Sequence, residues 1–350
     1  MKKICFAVIL VAWVVWAVEV QAQIPQVEAT KVIRLYEQIA EGQHIPVVKC
    51  LDLEPHGQLL ALGGDDHSVR LWSVPARRFV GDLPKHDDWV RSLAFSPDAS
   101  RLATVAQDGQ IRLWNVGEGE VSRLLRTLNE PVRGTQQIIF QPDGSRFAVC
   151  GFDQNVRIYD SATSRLVGTL SAHDTNNESI TYSADGSLLA VGGRTGVVRI
   201  WRTSDNRHLT DIEGDGRRVR AIAFSPDGSM LAMGGDGPFI MLWNPRDGRM
   251  IRTLAERPGK TFALAFCGDT ALASGESDNM VRLWNLATGK QIAYLSGHTG
   301  TVSTMVYEPN TRQLITGSFD TSVRFWTLPL AEQPPSTQQP LLLEMPMPSP

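Results

Sequence analysis

The sequence holds few of the local signatures that carry chemistry. Its seven histidines make no HxH or HExxH spacing, and no DxDxDG calcium loop occurs, so no metal site is expected. There is no GxSxG nucleophile elbow and no GxxxxGK[ST] phosphate loop, which leaves the serine-hydrolase and P-loop classes without support. Cysteine is scarce: beyond Cys5, only Cys50, Cys150 and Cys267 occur, an odd and scattered set that reads as buried apolar thiols rather than a disulfide framework. Charged residues are 20% of the chain and the net charge is -3, a poor basis for nucleic-acid binding. Long apolar runs are missing too, because the longest, Ile4 to Val18, has fifteen residues where a bilayer core needs about 20.

That short run follows Lys2 and Lys3 and precedes a Val20-Gln21-Ala22 triplet with compact groups. Residues 1–22 are therefore expected to be a secretory signal peptide cleaved after Ala22, which makes the protein exported, periplasmic or extracellular, with no stable membrane insertion afterwards. Cleavage would move the net charge from -3 to -4, by loss of Lys2, Lys3 and Glu19. Residues 23–30 read as a short linker. At the other end, residues 329–350 are rich in proline, which cannot donate to a sheet, and read as a disordered tail.

Between these ends an aromatic residue closes a short apolar strand seven times, at Trp72, Trp114, Tyr159, Trp201, Trp243, Trp284 and Trp326. The successive gaps are 42, 45, 42, 42, 41 and 42. A period of about 40 to 45 residues with four strands per unit is that of a propeller blade, and seven units can close into a ring. The unit is clearest in VRSLAFSPDASRLATVAQDGQIRLWNVGEGEVSRLLRTL, which reads as four strands separated by turns. The SPDAS turn returns as QPDGS, SADGS and SPDGS: proline presets a negative φ, Asp bonds local backbone, and Gly accepts a positive φ. The expected fold is all-β, a seven-bladed β-propeller of four-stranded antiparallel blades over residues 31–328.

The seventh unit lacks its own outer strand, since AEQPPST follows Trp326 where one should lie. Lys31 to Tyr36, KVIRLY, is the unassigned β-branched stretch left to fill the gap, so residues 31–36 are expected to pair on the outside of blade 7.

The third strands read DHSVRLW, DGQIRLW, DQNVRIY, TGVVRIW, GPFIMLW, DNMVRLW and DTSVRFW, with Asp six residues before the aromatic in five of seven. With His298 in SGHTGTV before a first strand, the pattern resembles the WD40 repeat family across residues 31–328. The resemblance implies a hydrogen-bond relay in each complete blade, from the His through a Ser or Thr on the second strand and an Asp in the next turn to the Trp. Two repeats hold the whole set: His86, Thr104, Asp108 and Trp114 in blade 2, and His298, Thr316, Asp320 and Trp326 in blade 7. Blade 1 has Leu62 at the hydroxyl position, blade 6 has Arg257 in place of His, blade 4 has His173 but Thr195 for Asp, and blade 5 lacks both His and Asp. The recurrence of His, Thr and Asp with the repeat argues for a structural role and against a catalytic triad.

Members of such a family often bind partners on the face that carries the loops entering the first strand and joining the second to the third. On that face stand Asp87, Trp89, Phe152, Arg194, Arg218, Lys260, Ser277 and Phe319, and Trp, Phe and Arg are frequent interface anchors. Arg194, Arg218 and Lys260 are expected to form a positive arc on blades 4 to 6. The functional expectation is a monomeric, non-catalytic scaffold for protein–protein interaction outside the cytoplasmic membrane, with no cofactor, no nucleic acid and a partner of unknown identity. The alternative is an enzyme or small-ligand receptor with its site at the mouth of the central channel.

Overall fold

The computed structural model describes residues 24–38, 44–117, 120–129, 134–172 and 176–330. The leader 1–22, His173 and residues 331–350 of the tail lie outside these.

Seven sheets, each built on four antiparallel strands, stand around one axis, essentially without helix among the described residues. Their innermost strands are Val48–Leu53, Val90–Phe95, Thr135–Phe140, Asn177–Tyr182, Val219–Phe224, Thr261–Cys267 and Val302–Glu308, for blades 1 to 7 in turn. Each lies beside the next, and that of blade 7 beside that of blade 1, so the ring is closed. Burial falls from the middle of a blade to its rim: in blade 1 all of Leu59–Gly64 is buried, whereas Arg78–Asp82 is half-buried or exposed.

The periodic aromatic is buried in blades 2, 3, 4, 6 and 7 and partly buried in blades 1 and 5, because each blade has only its neighbours to pack on. Trp114 of blade 2 joins Leu59, Ala61 and Leu71 of blade 1, and Trp326 of blade 7 joins Ala271, Ala273 and Leu283 of blade 6. Fully burying a large apolar side chain stabilises by about 1.5–3 kcal/mol, so these contacts hold blade to blade.

Blade 7 takes its outer strand from the other end of the chain. Lys31–Arg34 runs antiparallel to Ser322–Thr327, with Ile33 opposite Val323, and residues Leu35–Gln38 turn away as a 3-10 helix. The strand is thus shorter than the 31–36 expected. Residues 23–30 differ from the expected plain linker: Gln26–Val27 pairs in parallel with Tyr294 and Leu295 and makes blade 6 five-stranded. That blade's edge was otherwise open, and the Pro25 carbonyl accepts the Tyr294 amide at 3.1 Å.

The inner strands are also laced by side chains. In blades 7, 2, 3 and 4 the third residue of the strand, Thr304, Ser92, Gln137 or Ser179, accepts an amide of the following blade: Leu51, Ile138, Ile180 or Ile222. Between blades 1 and 2, where that residue is Cys50, Asp52 takes over and accepts the Phe95 amide at 2.8 Å. Blades 5 and 6 have Ala221 and Ala263 there, which cannot make the bond. The open edge of blade 6 and the chain segment crossing it lie on this less tightly laced arc.

Candidate functional site: the channel mouth

Every innermost strand breaks its register at the same place. Val48 pairs with Gly64 and Cys50 with Gly63, leaving Lys49 as the extra residue of a β-bulge, and the other six blades repeat this at Arg91, Gln136, Glu178, Arg220, Phe262 and Ser303. A bulged residue makes no ladder pairing, and its side chain is re-aimed. All seven line one cavity of roughly 600 Å³ at the mouth of the central channel. The bulge needs close backbone approach: a Cβ on Gly235, opposite the blade 5 bulge, would collide with the Arg218 carbonyl.

The two sides of this mouth differ. On blades 7, 1 and 2, the Lys49 ammonium stands 4.0 Å from the Phe319 ring centre and 5.5 Å from that of Trp89, and the Arg91 guanidinium lies 5.5 Å from the same Trp89 ring. Trp89 is 41% exposed. Burial first, and then the Arg91 charge, pull the Lys49 ammonium below its usual range. On blades 4 to 6, Arg218 is paired with Glu178, Arg220 with Asp236 at 2.7 Å, and Lys260 stands 3.6 Å from Asp236. The expected positive arc is therefore largely neutralised by carboxylates of the same blades.

Of the residues expected on this face, Phe152, Arg218 and Phe319 line the cavity, and Trp89 adjoins it through Lys49. Asp87, Arg194, Lys260 and Ser277 are not part of its wall. Ser277 instead caps the loop of Lys260, accepting its amide at 2.9 Å. Lys49, Arg91, Glu178, Arg220 and Phe262 were missed, although positions 49, 91, 136, 178, 220, 262 and 303 keep the same period as the aromatics.

The relay blades hold the aromatic walls. In blade 7, His298 Nδ1 lies 2.8 Å from Asp320 Oδ2, His298 Nε2 2.8 Å from Thr316 Oγ1, and Trp326 Nε1 donates to the same Thr316 oxygen at 2.8 Å. Blade 2 repeats the set with His86, Asp108, Thr104 and Trp114 at 3.1, 2.9 and 3.0 Å. The chain of contacts thus runs Trp–Thr–His–Asp, with Asp at the end rather than between Thr and Trp. Because the carboxylate can only accept, the neutral imidazole donates from Nδ1 and accepts at Nε2, so the Thr hydroxyl donates to Nε2 while its oxygen accepts from the indole N–H. Burial holds the His298 imidazole below its usual range against the pull of Asp320. Burial alone would raise the Asp320 carboxyl, but bonds from His298, Ser322 and the Thr299 amide hold it well below the carboxylate range.

Asp320 thereby fixes the turn that carries Phe319, and Asp108 accepts the Asp87 amide at 3.0 Å, which fixes the loop that carries Trp89. Blades 1 and 5 leave their tryptophans short: Trp72 Nε1 and Trp243 Nε1 are buried without a partner among the described residues, with Leu62 and Met233 where Thr stands in blades 2 and 7. Blade 6 substitutes charge. Ser274 accepts from Trp284 Nε1 at 2.9 Å and donates to Glu276, which stands between Arg257 and Arg282.

Cys50, Cys150 and Cys267 are free and buried, and burial pushes the Cys50 thiol up to about 12, so none is a poised nucleophile. Among the described residues no group of three or more His, Cys, Asp or Glu is placed to hold a metal ion, and no helix is long and apolar enough to cross a membrane.

Ring, bulge and relay together define a seven-bladed propeller of WD repeats. Residues 38–73, 77–115, 122–160 and 289–327 match the model of the WD domain, G-beta repeat, and residues 180–269 match that of the anaphase-promoting complex subunit 4 WD40 domain. The chain belongs to the WD40 repeat family. It is similar to SEC12-like protein 1 of Arabidopsis thaliana, 30% identical over 39% of this chain and 35% of that protein. It is also similar to the coronin-like protein of Saccharomyces cerevisiae, 32% identical over 29% of this chain and 16% of that one. A third relative is the periodic tryptophan protein 2 homolog of Schizosaccharomyces pombe, at 31% over 34% and 16%. The matched region spans about a third or less of the length of these relatives.

Proposed function

We propose that this protein is a non-catalytic scaffold that holds a protein partner across the channel mouth, on the side formed by blades 7, 1 and 2, and that it does so after export from the cytoplasm. One observation carries the reading: the exposed Trp89 ring, the half-buried Phe319 ring and two cations meet at the mouth, beside the two complete relays. WD40 propellers are protein-interaction platforms, and aromatic and arginine anchors in a rigid setting are what such interfaces use. Export rests on the leader-like residues 1–22 alone. The cavity wall offers two carboxylates, Asp52 and Glu178, and no histidine, and both carboxylates already accept hydrogen bonds from the protein. The roughly 600 Å³ cavity favours a second reading, a small-ligand site at the channel mouth.

Photo-cross-linking in the native host tests the first reading. A cross-linking side chain at Phe152 should capture a discrete protein, and one at Asp143, in the turn on the opposite face, should not. No adduct at Phe152, or equal adducts at both, would contradict it. Fractionation of the full chain should place it outside the cytoplasm, and retention in the cytosol would overturn export.

A further inference from the structure

Resting on the scaffold reading, the partner's chemistry can be narrowed by counting which charges at the mouth are already answered. Four cations line it, Lys49, Arg91, Arg218 and Arg220. Arg218 and Arg220 each have a carboxylate within ion-pair distance, whereas Lys49 and Arg91 have none among the described residues. Both lie 5.5 Å from the centre of the Trp89 ring, and, beyond the effect of burial, the Arg91 charge is near enough to pull the Lys49 ammonium down. Arg91 Nη2 reaches the neutral Gln107 amide at 3.3 Å, and its buried Nε donor has no acceptor among the described residues. A buried donor left unpaired costs free energy that a suitable acceptor recovers. What is missing is an anion between blades 1 and 2, and the flanking Trp89 and Phe319 rings ask for apolar atoms on either side of it.

We propose that Lys49 and Arg91 form a carboxylate subsite that takes an acidic group of the partner protein, with adjoining apolar side chains covering Trp89 and Phe319. A planar carboxylate can engage a guanidinium through two oxygens while the ammonium adds a point charge. The group is an internal Asp or Glu or a chain terminus.

Peptide titration of the full chain, followed by Trp fluorescence or calorimetry, tests this. Three pentapeptides serve as probes: one with a central Glu between leucines and both ends blocked, a Gln counterpart with both ends blocked, and that Gln peptide with a free C-terminal carboxylate. Either carboxylate peptide should bind more tightly than the blocked Gln peptide by about tenfold or more, and the one that does identifies the source. Affinity should fall with added salt. Lys49→Gln with Arg91→Gln should abolish the preference, while Arg218→Gln should leave it within about twofold; circular dichroism melting checks that each variant is folded. Equal binding of all three peptides, or a preference that survives Lys49→Gln with Arg91→Gln, would overturn the subsite. So would tighter binding of a phosphoserine peptide than of the Glu peptide, which would reassign it to phosphate. If the Phe152 cross-link persists in the double variant, the scaffold reading stands and only the carboxylate subsite falls.

Discussion

Blades 2 and 5 each place an arginine at the same bulge of the same repeat, yet the two side chains face different company. Arg91 shares the Trp89 ring with Lys49 and has no carboxylate within ion-pair distance among the described residues, whereas Arg220 is tied to Asp236 at 2.7 Å and lies 4.7 Å over the Phe262 ring centre. The blades differ equally in bracing: blade 2 completes its relay, and blade 5 leaves Trp243 Nε1 without a partner among the described residues. One side of the mouth is therefore braced and unsatisfied, the other less braced and self-neutralised. A repeat supplies equivalent positions, and the neighbouring residues decide which of them are available.

The largest way to break this contrast is to open the ring, because both sides depend on it. Deleting residues 24–38 removes the outer strand of blade 7, the added strand of blade 6 and the buried Ile33 and Leu35, each 2% exposed. At about 1.5–3 kcal/mol for each buried side chain, a loss of about 3–6 kcal/mol is expected in denaturant melts. Deleting 331–350 should cost far less, and equal losses would overturn the closure.

Asp320→Ala comes next. It leaves His298 Nδ1–H and the Thr299 amide without an acceptor, at a cost of about 1–3 kcal/mol. It should also weaken partner capture, because the turn bearing Phe319 loses its anchor. An unchanged melting temperature would count against the relay.

Glu178→Gln sharpens the contrast instead. It releases Arg218, which is a third exposed, so stability should change by no more than about 1 kcal/mol. The less braced side should then also attract acidic peptides, by less than tenfold in affinity; no gain would mean that pairing does not set availability.

The smallest effect concerns pH. Burial pushes the Asp52 carboxyl up to about 7, against hydrogen bonds from the amides of Phe95 and Leu53. Between about pH 4 and 7 the folded chain thus keeps a proton that the unfolded chain has lost, so this group's contribution to stability falls as pH rises through that window. Asp52→Asn should flatten the fall, as read from melting temperatures at pH 5 and 7.5. The blade 7 relay has the opposite sign: with Asp320 and His298 both below their usual ranges, its contribution is lost as pH falls.

The blades were legible in the sequence because burial between neighbours forces an aromatic at one place in each unit, and the missing outer strand was legible because proline cannot fill it. Gln26–Val27 was not, since two residues carry no periodicity. The ring of bulged residues keeps the same period, but at each site a strand reads as regular alternation, and the shift that turns Lys49 towards the channel resides in how two strands pair. The positive arc on blades 4 to 6 failed as a reading of isolated charges: Arg218 and Glu178 are 40 residues apart and meet only once the ring brings blades 4 and 5 together.

Hydrogen–deuterium exchange of the full chain, alone and with its captured partner, bears most directly on the asymmetry of the mouth. Protection of the loops around 86–90, 151–154 and 318–321, with those around 194–196 and 258–260 unchanged, is the expected result. Protection of the blade 4 to 6 loops alone, or of the turns on the opposite face, would contradict it.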